Sequence, residues 1–153
     1  MKLAEALTAR ADLQRRIEQL RARVTSNARY QEGEEPSEDA SALLVEAQGA
    51  LEQLRELIRR INATNSRLSL GADGTMTDAL AARDVLRLHH SLLTDAAAAA
   101  SGSHGLRQLR SELRQIAALP VAELRQRADA VARELRELDN RIQEANWTHD
   151  LEE

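Results

Sequence analysis

Leu44-Val45-Glu46-Ala47-Gln48-Gly49-Ala50-Leu51-Glu52-Gln53-Leu54-Arg55-Glu56-Leu57-Ile58-Arg59-Arg60-Ile61-Asn62-Ala63-Thr64-Asn65-Ser66-Arg67-Leu68 is the stretch that decides the fold. Leu44, Ala47, Leu51, Leu54, Ile58, Ile61, Asn65 and Leu68 follow one another at alternating steps of three and four. That spacing draws one apolar stripe along an α-helix, and such a stripe has to be covered by other helices. A second line through Leu43, Ala50, Leu57 and Thr64 widens the apolar surface enough to touch more than one neighbour, which makes this the central helix. Leu124, Ala128, Val131, Leu135, Leu138, Ile142 and Ala145 repeat the pattern near the other end of the chain.

Working outward, a first helix is expected from about Lys2 to Asn27, with Leu3, Ala6, Leu13, Ile17, Leu20 and Val24 on its seam and Arg10 intruding. Gln31-Glu32-Gly33-Glu34-Glu35-Pro36-Ser37 breaks it with glycine, proline and uncompensated charge. The second helix begins between Ser37 and Ser41 and continues to about Asn65. Leu68 to Met76 alternates around Asp73-Gly74 in the manner of a short β-hairpin. Thr77-Asp78 is expected to cap a third helix, which ends in the alanine run before Ser101-Gly102. Residues 106–119 fit a short helix or a strand, because Pro120 disfavours helical geometry at Leu119. A fourth helix opens at Pro120 and runs to about Asn146. Short connections predict a mainly α fold: an antiparallel up-down bundle of four long helices, with the hairpin at one pole, in a single domain over 1–153.

Composition narrows the chemistry. The 153 residues include no cysteine, which excludes a disulfide framework, a thiolate nucleophile and cysteine-ligated zinc. Phenylalanine is absent and Tyr30 and Trp147 are the only aromatics, so the core must be aliphatic. Charges at Lys2, Glu5, Arg10, Asp12, Arg15, Arg16 and Glu18 interrupt any signal peptide or membrane span in the first twenty residues, and a cytoplasmic protein is expected. Residues 1–30 hold seven basic and three acidic groups, a balance of +4, and residues 31–53 hold seven acidic and no basic groups, −7. A nucleic-acid patch along Arg15, Arg16, Arg21, Arg23 and Arg29 is disfavoured by the intervening Asp12 and Glu18 and by the lack of flanking aromatics. Pairing of neighbouring helix faces is the simpler account.

Motifs for catalysis are absent: there is no Gly-x-Ser-x-Gly, P-loop or dinucleotide fingerprint. None of the four histidines has a glutamate three residues before it, against a ferritin-like metal site, and adjacent His89 and His90 cannot face one direction. No metal and no cofactor are expected. Up-down alternation would gather the ends of helices 2 and 4 and the start of helix 3 at one pole. There the ligand-binding candidates are Asn62, Asn65, Asp78, Arg83, Asp84 and Asn146, with the catalytic residues unknown. A structural reading competes: Asn65 sets helix register, Asp78 favours a helix N-terminus and Trp147 covers the end of the core.

Several stretches together resemble the septicolysin-like group of small bacterial helical proteins. They are Met1 to Leu7 with Arg10 to Gln14, Gln31 to Glu34, Ile61 to Asn65, Asp73-Gly74 through Thr77-Asp78-Ala79-Leu80 with Arg83 and Asp84, and Glu137-Leu138-Asp139 through Ile142-Gln143-Glu144 to Asn146-Trp147-Thr148. The resemblance implies a helical domain, membrane lysis as the label suggests, and extended backbone around Ser111-Glu112-Leu113-Arg114. It carries over no catalytic residue. From the residues themselves, the leading expectation is a helical interaction or scaffold protein, not an enzyme, that self-associates as a homo-oligomer through leftover apolar surface on helix 2 or around the alanine run of helix 3, with no nucleic-acid partner and no membrane. The alternatives are a small-ligand-binding protein or enzyme with a polar pocket at the pole, and a membrane-active lytic protein.

Overall fold

The computed structural model describes residues 1–102 and 113–153. It is mainly helical, with α1 (Leu3–Asn27), α2 (Ala40–Arg67), α3 (Met76–Ala100) and α4 (Val121–Thr148). Among the described residues there is no strand. The chain divides into two compact units, Met1–Leu68 with Glu144–Glu153, and Ser69–Gln143.

In the first unit α1 packs on α2. Arg16 meets Glu46 at 2.9 Å and Arg23 forks onto Glu38, so the contacts climb α1 while they descend α2. These pairs join the basic first segment to the acidic second one. Arg15 and Arg21 likewise hold Asp12 and Glu18 along α1. The turn into α2 is braced by the Asn27 side chain, which accepts the Glu38 N–H at 3.0 Å, and Asp39 caps α2 by accepting from Ser41 and Ala42.

The face that α2 buries differs from the expected one. Leu43, Ala50, Ile61 and Thr64 are buried, whereas Leu44 and Leu51 are 56% and 51% exposed. The second line of apolar residues, not the longer seam, carries the packing along the first half of the helix. Its small residue Ala50 allows close approach to a neighbour.

The expected hairpin is corrected in the second unit. Gly71–Asp73 is a single 3₁₀ turn, and the one cross-pairing is an isolated bridge between Ser69 and Thr75, with the Leu70 N–H donating to Gly74 O at 2.7 Å. No ladder has room to grow, because Leu68 is already the C-cap of α2 and Thr75 the N-cap of α3. The α3 cap therefore falls at Thr75, just ahead of the expected Thr77-Asp78. Thr75 Oγ1 accepts the Asp78 N–H at 3.2 Å and the Asp78 carboxylate accepts the Thr75 N–H at 2.8 Å. The Thr75 N–H, and after it the Thr75 hydroxyl, which also donates to the carboxylate at 2.8 Å, hold the Asp78 carboxyl below its ordinary range.

Leu93 and Ala97 of α3 form one apolar cluster with Leu124, Ala128 and Val131 of α4. The α4 seam is buried as its spacing requires, apart from half-buried Leu135. Of the ambiguous stretch 106–119, residues 106–112 lie outside the described residues. Residues 113–119 are neither helix nor strand.

Candidate functional site

The six candidate residues divide between the two units. Asn62, Asn65 and Asn146 belong to the first, and Asp78, Arg83 and Asp84 to the second.

In the first unit, residues 149–153 are tied to the start of α1 and to the end of α2. The Leu3 N–H donates to His149 O at 3.0 Å and the Leu151 N–H to Met1 O at 2.9 Å, while Lys2 Nζ reaches Asp150 at 3.1 Å. Glu152 is held from the α2 side: its N–H donates to Thr64 Oγ1 at 3.0 Å, Arg60 Nε donates to its carbonyl at 2.8 Å, and Arg67 pairs with its carboxylate at 2.5 Å. Leu151 is buried between these contacts in the sequence. Sequence reasoning missed this clasp. Its only trace is Leu151, a lone apolar residue in the polar run Thr148-His149-Asp150-Leu151-Glu152-Glu153.

Asn62, Asn65 and Asn146 form no hydrogen-bonded network with one another among the described residues. Asn62 is exposed, Asn65 half-buried and Asn146 buried at 6% exposure, and among the described residues none of the three side chains makes a hydrogen bond. Polar amides so placed keep their bonding capacity for water or for something else. Trp147 is 63% exposed and covers no core.

In the second unit Asp78 is committed to the α3 cap. Arg83 is mostly buried and reaches Asp139 on α4 at 3.5 Å and Asp84 at 3.7 Å, with its Nε left without a hydrogen bond. Asp84 also meets Arg87 at 3.8 Å. This trio links α3 to α4 next to Arg141, whose guanidinium forks onto Asp73 in the turn at 2.5 and 3.0 Å. These arrangements read as structural ties. A cleft of about 480 Å³ lies elsewhere in the unit, with half-buried His90, Thr94, Arg125 and Asp129 around an alanine floor. His89 points to solvent. Among the described residues no group of three or more His, Asp and Glu side chains is placed to hold a metal ion.

What the helices turn to solvent is more distinctive. On α3, Val85, Leu88 and Leu92 are 63%, 72% and 66% exposed, and their i, i+3, i+7 spacing puts them in one row. On α2, Leu44 and Leu51 make a shorter row.

A family model matches residues 10–151. The chain belongs to the family of unknown function DUF6847. A crystal structure of a functionally unknown conserved protein from Corynebacterium diphtheriae is similar to this DUF6847 chain, at 37% identity and a TM-score of 0.93, covering 99% of both chains. No curated protein matches significantly. The septicolysin-like resemblance is thereby overturned: the motifs quoted for it lie within a chain that the DUF6847 model matches from end to end but for a few residues. With that label goes the reason for expecting lysis. Among the described residues no helix is long and apolar enough to cross a membrane.

Proposed function

We propose that this chain is a helical interaction protein that self-associates, its four helices alternating up and down in one folded domain. The observation that carries this reading is the double-sided apolar character of α2 and α3. Each buries one line of residues and turns another, Leu44 with Leu51 or Val85 with Leu88 and Leu92, towards solvent. Contiguous exposed apolar rows of this kind mark interaction surfaces.

Sedimentation equilibrium across the micromolar range tests the reading. A mass that rises with concentration is expected; a strict monomer throughout refutes it.

A further inference from the structure

The exposed row on α2 has flanking charges that complement themselves, and those on α3 do not. Gln48, Glu52 and Arg55 follow one another at steps of four and three, so they lie along one flank of the row formed by Leu44 and Leu51. Glu52 and Arg55 are both exposed, and among the described residues neither forms a hydrogen bond or an ion pair, even with the other. The neighbouring Glu56 is held low by Arg59 first, with Arg55 a lesser contributor. Along the helix Glu46 is held by Arg16, Arg59 by Glu56, and Arg60 and Arg67 by Glu152, which among the described residues leaves Glu52 and Arg55 as its two uncommitted charges.

Two copies of such a helix laid in opposite directions can set Glu52 of each beside Arg55 of the other. A twofold axis near Leu51 and Leu54 puts the same flank of both helices face to face, because an isologous contact presents one patch to itself. Glu52 of each copy then falls opposite Arg55 of the other, twice, on either side of the leucines. On α3 the charges beside the row are Asp84, already bound to Arg87, and Asp95, and both arginines of that helix, Arg83 and Arg87, are already paired.

We propose that the occupant of the α2 row is a second copy of this chain, docked antiparallel through Leu44 and Leu51 and registered by reciprocal Glu52–Arg55 pairs. The proposal rests on the self-association reading and specifies its interface.

Charge exchange tests it in the full chain. Glu52→Arg sets two arginines against two arginines, and Arg55→Glu sets carboxylates against carboxylates. Each variant alone is expected to weaken the dimer at least tenfold by sedimentation equilibrium, with an unchanged helical circular dichroism spectrum. An equimolar mixture of the two variants restores both attractive pairs and is expected to recover a heterodimer of near parental affinity. Leu88→Lys on α3 is expected to leave the dimer intact. The interface is overturned if either charge variant dimerises like the parent, if the mixture stays monomeric, or if Leu88→Lys alone abolishes the dimer. A parent protein that is itself monomeric refutes self-association altogether, an outcome distinct from these.

Discussion

Replacing Leu151 by alanine should release the C-terminal clasp, and the size of the effect follows from its contacts. Leu151 is 7% exposed, and Leu→Ala at a buried site costs about 2–5 kcal/mol, with the lower part of that range expected where a terminal segment can collapse into the space. About 2–4 kcal/mol is therefore anticipated. For a chain of this size each kcal/mol lowers Tm by about 2–4 °C, a shift of roughly 4–16 °C. Thr64→Val removes the acceptor of the Glu152 N–H and should cost about 1–2 kcal/mol by itself. The two positions are not independent. Once Leu151→Ala has loosened the tail, the Thr64 hydrogen bond is already lost, so the double variant should cost at least about 0.5 kcal/mol less than the sum. Urea unfolding of the parent, both single variants and the double variant measures all of this. Strict additivity, or a Leu151→Ala effect under about 0.5 kcal/mol, refutes the view that residues 149–153 are held as one unit.

Gly74 has φ +81°, and a Cβ there would lie 2.6 Å from the Asp78 carboxylate that closes the α3 cap. Gly74→Ala should destabilise by about 1–3 kcal/mol, seen as a lower Tm by circular dichroism, and a neutral result would show that the turn rearranges freely. Acid should weaken the fold through Asp78, Glu38 and Glu56, whose carboxyls are held low by Thr75, Arg23 and Arg59 respectively. Their stabilisation is fully present above the unfolded carboxyl range near about pH 4 and is lost as pH falls through the lower folded values. Urea midpoints measured from neutral pH downward should show this decline, and Asp78→Asn should flatten it.

The helices were legible because periodicity survives any choice of neighbour. Leu124, Ala128, Val131, Leu138, Ile142 and Ala145 are buried at the spacing that announces them. On α2 two apolar lines compete, and spacing favours the longer one. Which line packs depends on how closely the partner helix approaches, and that is a property of the pair rather than of either strand of residues. Alternation around Asp73-Gly74 suggested a hairpin, but the capping demands of Leu68 and Thr75 left only a turn. Among the site candidates, Asp78 and Arg83 were visible as polar residues; the tie of Asp78 to Thr75, three residues before it, was open to reading as a Thr-x-x-Asp capping box, whereas Asp139 stands 56 residues from Arg83 and leaves no mark in local pattern. The clasp around Glu152 was invisible for the same reason: Thr64 stands 88 residues before the amide it accepts.

The bridge between Lys2 and Asp150 brings the segment before α1 and the segment after α4 side by side in the first unit. A gene reordered so that a short glycine linker fuses Glu153 to Met1 would ask little of the chain at that join. Fresh ends cut within the exposed Gln31–Ser37 turn would then sit far along α1 and α2 from the linker, which makes that turn the natural place to open the chain.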